Sequence, residues 1–265
     1  MRPFFMMKPS RQSVRPALYH FLICLVMAGF ILLFFRVVWF PGPFGKLSGA
    51  NELVVLVLSV DVVIGPILTL VIYNQAKSTH EKTLDFAVIA LLQVAALSYG
   101  LWTAHQATPR FLVLEVDRFK LINNHDLRGV DLSVATPRVL EKSRTGIALV
   151  GVRKPKDAQE NAKVLFESLQ GGRDLAERPD FYVPWADVSV AERLARARPV
   201  MHLLRHDPTL LPQVMAMLSA AKSEVSGVYF LPLMAQKEWT VILNESGELL
   251  GYVQATGFIP EENKP

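Results

Sequence analysis

His202 and His206 stand four residues apart in His202-Leu203-Leu204-Arg205-His206-Asp207. On a helix that spacing puts two imidazoles on one face, an arrangement suited to a metal ion. No third ligand with matching spacing accompanies them, and their apolar neighbours mark a partly buried surface helix. His125-Asp126 is a polar loop pair of the same weak kind. Glu115 and Asp117 alternate with apolar residues, as the wet edge of a strand does. The chain has one cysteine, Cys24, inside an apolar run. Thiolate chemistry and disulfides therefore have no basis outside that run. Phosphate loops, dinucleotide turns, nucleophile elbows, zinc helices and paired cysteines are all absent from the sequence. These residues predict no catalytic residue, no metal, no cofactor, and a protein that is not an enzyme.

Asp61 is the most informative residue. It lies in Ser59-Val60-Asp61-Val62-Val63-Ile64-Gly65-Pro66, inside an apolar run. A carboxylate at mid-membrane costs at least ~2.5 kcal/mol on insertion scales. It must therefore face protein or water rather than lipid. Gly65 and Thr69 follow at i+4 and i+8, giving a small, polar face of the type that helices use to pack in membranes. Pro66 removes an N–H and frees the carbonyl of Val62, so that Gly65-Pro66 is a place for the helix to splay and open a groove.

Three segments must position this face. Apolar stretches of membrane-spanning length run over residues 18–40, 53–73 and 84–104. The first is too long for a signal-peptide core and ends in Trp39-Phe40-Pro41-Gly42-Pro43 without a small-x-small cleavage site, so it reads as an uncleaved anchor. Asp61 sits about 12 Å below the outer end of the second span, at ~1.5 Å per residue. The third span reaches that depth near Gln93. Gln93, Ala96 and Gly100 form a small, polar stripe, so the second and third spans are expected to pack with Gln93 near Asp61. Three readings of the acid are open: a structural polar contact, a docking point for a polar group on another membrane segment, and proton or ion transport.

Charge sets the orientation. Arg2, Lys8, Arg11 and Arg15 precede the first span, and Lys77 and Lys82 lie between the second and third, whereas the other link has only Lys46. Positive residues stay inside. Residues 1–17 are therefore expected in the cytoplasm and residues 105–265 outside. Residues 105–265 carry 20 Lys/Arg and 20 Asp/Glu, and residues 1–104 carry the remaining eight and four. The basic excess thus belongs to the membrane half, and no basic stripe exists for nucleic acid.

Residues 105–265 read as an α+β domain with about five strands and three helices. Residues 111–122 form a strand broken near Asp117-Arg118, residues 123–144 are polar and mostly loop, and residues 146–152 are a buried strand. Residues 157–170 form an amphipathic helix with Ala158, Ala162, Leu165, Phe166 and Leu169 on one face. Residues 173–185 are loop, residues 188–198 are helical, and Asp207-Pro208 starts a helix that runs to about Lys222. Residues 228–234, 239–243 and 249–255 are strands, the last two joined by Asn244-Glu245-Ser246-Gly247. Phe181, Tyr182 and Trp185 cluster in a Pro-containing loop, which suits either an exposed binding surface or a plug under the loop.

The run Leu58-Ser59-Val60-Asp61-Val62-Val63-Ile64-Gly65-Pro66-Ile67-Leu68-Thr69-Leu70 resembles the signature of type IV pilin accessory proteins of the TfpX/TfpZ kind. The pattern continues through Lys77, Asp85, Gln93-Val94-Ala95-Ala96-Leu97-Ser98-Tyr99-Gly100 and Phe111-Leu112-Val113-Leu114-Glu115-Val116-Asp117-Arg118-Phe119. It covers residues 55–120 closely, with a looser likeness in Phe230-Leu231-Pro232-Leu233 and the final hairpin. Thr108 stands where the family pattern has Arg before the Pro. The resemblance implies an inner-membrane, chaperone-like helper in a Gram-negative bacterium that supports pilin stability or pilus assembly. The expected partners are a pilin, the pilus assembly machinery and the lipid bilayer. The expected contact is a membrane groove at Asp61, Gly65, Pro66, Thr69, Gln93, Ala96 and Gly100, together with the periplasmic domain. The alternatives are a membrane-anchored envelope enzyme and a periplasmic sensor.

Overall fold

The computed structural model describes residues 13–260. Arg2, Lys8 and Arg11 of the N-terminal basic group lie outside the described residues. The chain divides into two compact units, one ending at Ala107 and the other starting at Thr108.

The first unit is helical. Helix α1, Val14–Phe34, continues into one π-helical turn, Phe35–Trp39. A short α2, Phe44–Leu47, leads into α3, Ala50–Ile72, and then α4, Thr79–Gln106. Among the described residues three stretches are long and apolar enough to cross a membrane: Val14–Trp39, Ala50–Ile72 and Thr79–Gln106. The helix α4 begins well before the apolar run at Leu84 because a capping box starts it. Glu81 N–H donates to Ser78 Oγ at 3.3 Å, and Ser78 N–H donates to Glu81 Oε2 at 2.7 Å. That pairing satisfies two of the orphan donors of a helix start. Helix α3 packs against both α1 and α4. Their contact is filled by Ala28, Phe35, Val54, Leu58 and Ala104.

The second unit is α+β. Its strands are β1 Pro109–Leu114, β2 Phe119–Asn123, β3 Ala148–Val152, β4 Tyr182–Pro184, β5 Arg198–Pro199, β6 Tyr229–Met234, β7 Glu238–Leu243 and β8 Leu249–Val253. Its helices are α5 Pro137–Thr145, α6 Ala158–Leu169, α7 Val190–Leu194, α8 Val200–His206 and α9 Leu211–Ala221. The sheet order is β4-β3-β1-β2-β6-β7-β8, with β5 also on β6. The β1–β3 and β2–β6 pairs are parallel, and the last three strands form an antiparallel meander. Two apolar clusters back the sheet. One holds Phe111, Val113, Ile122, Val150 and Tyr182, and the other Val200, Leu203, Val214, Phe230 and Ile242.

Several expected elements take a different form. The break at Asp117-Arg118 is a hairpin turn: Glu115 N–H donates to the carbonyl of Arg118 at 3.0 Å, and β1 pairs with β2. The polar stretch before β3 holds α5, which starts on Pro137 at its first turn. The helix expected over 188–198 is only α7, because Arg198 and Pro199 leave to pair with β6. Asp207 does cap, accepting from Thr209 N–H at 3.0 Å, but it opens a 3₁₀ turn that precedes α9. His202 and His206 lie on α8, and among the described residues no three His, Cys, Asp or Glu side chains gather as a metal site.

Candidate functional site

The expected meeting of the second and third spans occurs. Gln93 on α4 donates from Nε2 to Asp61 Oδ1 at 3.2 Å and to the Asp61 carbonyl at 3.4 Å. The same nitrogen lies 3.6 Å from Cys24 Sγ on α1. One amide therefore ties all three long helices together. Buried Gly65 leaves the space that the Gln93 amide fills, and a Cβ there would lie 2.2 Å from Nε2. Gly100 makes a similar allowance further along α4, where a Cβ would meet Val57 Cγ1 at 2.4 Å. Thr69 is buried, its hydroxyl 2.7 Å from His20 Nδ1 on α1. At the other end of the link, Lys77 Nζ binds Asp85 Oδ2 at 2.5 Å and the carbonyl of Ile72 at 3.3 Å, fastening the end of α3 to the start of α4.

Two expectations about this region are corrected. Ala96 is exposed and lies off the packed face. Leu97 and Leu101 pack inward instead. The helical turn of ~100° per residue carries the inward face through Ile89, Gln93, Leu97, Gly100 and Ala104, at spacings of four and three. The groove at Gly65-Pro66 is also not open. Gly65, Pro66 and Thr69 are all buried, and α3 runs through Pro66 as one helix. The chain's own side chains, Gln93 and His20 among them, cover this face.

Asp61 itself remains partly open. It is half-buried, and no donor among the described residues reaches Oδ2. The Gln93 amide satisfies one carboxylate oxygen, and the residue stays half-buried at the middle of α3. The contribution of α1 escaped the sequence reading. Its signal was present, since His20 and Cys24 are four residues apart and share a face.

In the second unit the aromatic loop is a plug, not an exposed surface. Phe181 is 2% exposed and Tyr182 is 3% exposed. The Tyr182 hydroxyl donates to the carbonyl of Ala176 at 2.6 Å, and its ring packs on Phe111 with centroids 4.9 Å apart. Burial pushes the Tyr182 phenol above its usual range. Trp185 is half-buried beneath the Arg193 guanidinium, 4.6 Å from the ring centroid. Arg193 is the hub that sequence patterns did not disclose. It donates to the carbonyls of Trp185 at 2.7 Å, Val188 at 3.0 Å and Ser246 at 3.4 Å, and it pairs with Glu248. A cleft of about 750 Å³ lies between α6, α7 and the β1–β2 turn, with Val116, Val164 and Val188 in its lining. Glu115 stands in this cleft, where burial pushes its carboxyl above the usual range and Lys120 only partly offsets that.

Helix α6 is mounted in reverse. An amphipathic helix normally turns its apolar stripe to the core. Here Leu165, Phe166 and Leu169 are 56%, 63% and 74% exposed. The acidic face carries the ties to the rest of the unit, although no residue of α6 is fully buried. Arg153 grips Glu160 with two hydrogen bonds of 2.9 Å, and Arg178 Nη2 holds Glu167 Oε2 at 2.5 Å.

Three membrane-length apolar helices fastened by a polar cluster, followed by an α+β unit, define a multi-span membrane protein with one folded domain beyond its spans. The chain is 30% identical over 243 residues to the fimbrial assembly protein of serogroup I from Dichelobacter nodosus, a match covering 90% of this chain and 93% of that one. It is 29% identical over 243 residues to the serogroup E1 protein of the same organism, covering 91% and 93%. Against the fimbrial assembly protein of serogroups C1 and C2 it is 34% identical over 110 residues, covering 41% and 82%. The chain belongs to this family of fimbrial assembly proteins, which are type IV pilus biogenesis proteins. The likeness thus extends well beyond the 55–120 signature. No protein-family model and no solved structure matches the chain.

Proposed function

We propose that this protein is an inner-membrane accessory factor of type IV pilus biogenesis. It binds a pilin before assembly, in the manner of a chaperone, and catalyses no reaction. Family membership supports the role in pilus biogenesis. The positive-inside pattern, with Lys77 and Lys82 in one link against Lys46 in the other, supports a cytoplasmic N-terminus and a periplasmic second unit.

The observation that carries pilin binding is Asp61, half-buried at the middle of α3 with no donor among the described residues on its second carboxylate oxygen. Within hydrocarbon an acceptor without a donor is costly, so a donor from another span is stabilising at Oδ2. A pilin waits in the same membrane on one apolar helix, as the resemblance implies. A hydroxyl on that helix completes the pair. Because Gly65, Pro66 and Thr69 are already covered, the pilin helix lies beside the bundle at Asp61 and does not enter between α1 and α3.

Asp61→Asn tests this cleanly. The new amide keeps an oxygen for Gln93 and replaces the second acceptor by a donor. We expect normal protein levels, reduced pilin recovered with the solubilised protein, and fewer surface pili in the native host. Unchanged pilin recovery and piliation at equal protein levels would sink the proposal.

A further inference from the structure

We infer that the outward apolar face of α6 is a docking surface for the part of the pilin that lies outside the membrane; this rests on the reading that a pilin is the partner. The face is built by Leu165, Phe166 and Leu169, with Ala158 and Ala162 behind them toward the helix start. Its exposure is fixed by covalent sequence and ion pairs together. Glu160 and Glu167 lie on the opposite side of the helix, and Arg153 and Arg178 draw that side onto the domain. To bury the apolar stripe, α6 would have to break both pairs and roll over. The helix is thus held open by specific contacts, at the expense of burying three large side chains.

The size and charge of the face select the occupant. A stable interface between free proteins buries ~800 Å² on each partner. Three side chains on a twelve-residue helix fall well short of that, so the face cannot hold a freely diffusing protein alone. It suffices for a partner already tethered nearby, because a second contact within one tethered pair works at high effective concentration. A pilin held in the same membrane meets that condition. The rim argues against a lipid surface as the occupant. Interfacial helices carry Lys and Arg beside the apolar face. Here Gln159, Asn161 and Gln170 flank it, and the one lysine of the helix, Lys163, lies 3.9 Å from Glu167. A neutral polar rim around an apolar centre is the anatomy of a protein contact.

The test uses the full-length protein in its membrane, co-expressed with the pilin. Phe166 is replaced by a photo-crosslinking phenylalanine analogue, and separately Leu165→Ser and Leu169→Ser are combined. These side chains are exposed, so the fold does not depend on them. A light-dependent product containing pilin is expected, with pilin recovery from the double variant lowered about fivefold or more, which corresponds to about 1 kcal/mol of lost contact. A crosslink to lipid or to a second copy, or undiminished recovery from the double variant, overturns the inference while pilin binding itself stands. If the wild-type protein recovers no pilin, the functional reading and this inference fall together.

Discussion

Gly65 lacks a side chain at the point where Gln93 needs the space: a Cβ on Gly65 would lie 2.2 Å from Nε2 of Gln93. Gly65→Ala must therefore turn the Gln93 amide away and release both Asp61 and Cys24. Interhelical hydrogen bonds in membranes contribute about 0.6–1.7 kcal/mol, and a loss in that range is expected. Adding Gln93→Ala to Gly65→Ala should cost little more, since the amide is already displaced. Gly100→Ala should cost more than Gly65→Ala. Its obstacle is Val57 Cγ1 at 2.4 Å, a branched side chain locked in its rotamer, so the helices themselves must separate. Unfolding of these three variants and of Gln93→Ala alone in detergent or bicelles checks the order. Additive effects of Gly65→Ala and Gln93→Ala would refute the coupling.

Arg193 joins α7 to the β7–β8 hairpin through backbone carbonyls rather than through an acid alone. Arg193→Met keeps the length of the stem but leaves the carbonyls of Trp185, Val188 and Ser246 without this donor. Hydrogen bonds from charged groups contribute about 1.5–3 kcal/mol each, non-additively, so a loss of roughly 3 kcal/mol is expected. Glu248→Gln should cost far less, because Glu248 is 53% exposed and its pair with Arg193 is screened by water. Denaturant unfolding of both variants decides between a carbonyl hub and an ordinary ion pair. Equal losses would favour the ion pair.

Tyr182→Phe isolates the plug. The ring stays on Phe111, and the buried carbonyl of Ala176 loses its 2.6 Å donor. A cost of about 1–3 kcal/mol follows from stranding a buried acceptor. Thermal unfolding measures it. A neutral substitution would mean that the loop is fastened by ring packing alone.

What the sequence disclosed divides along physical lines. The Asp61–Gln93 contact was legible because a membrane fixes depth by residue count and forces polar groups to pair. The β1–β2 turn was legible because Asp117-Arg118 interrupts an apolar run. Ala96 was misplaced because an i+3 step and an i+4 step from Gln93 point in directions ~100° apart, and the sequence does not fix which one α3 meets. The direction of α6 was not legible at all. Periodicity says which residues share a face, not which way the face points. That was decided by Arg153 and Arg178, which lie beyond either end of the helix. Tyr182 was ambiguous for a similar reason: a loop tyrosine is readily buried only if its hydroxyl finds a partner, and the carbonyl of Ala176 supplies it.

The mounting of α6 also makes it sensitive to acid. The Arg153 guanidinium, helped by the Lys156 backbone N–H, lowers the Glu160 carboxyl from 4.5 to about 2. Glu167 is lowered in the same direction by Arg178. A carboxylate lowered on folding stabilises the folded form above its ordinary value, and that contribution is lost as pH falls through the folded value. Stabilisation of α6 should therefore be complete at pH 7 and decay between pH 4.5 and about 2. Glu160→Gln removes the charge and should leave α6 loosely held already at pH 7, with a flatter response to acid. Hydrogen exchange over residues 158–169, corrected for intrinsic rates and compared with β6 and β7 in the same sample, reads this directly. If α6 loses protection only together with the sheet, in both proteins and at every pH, the two Arg–Glu pairs do not hold it in place.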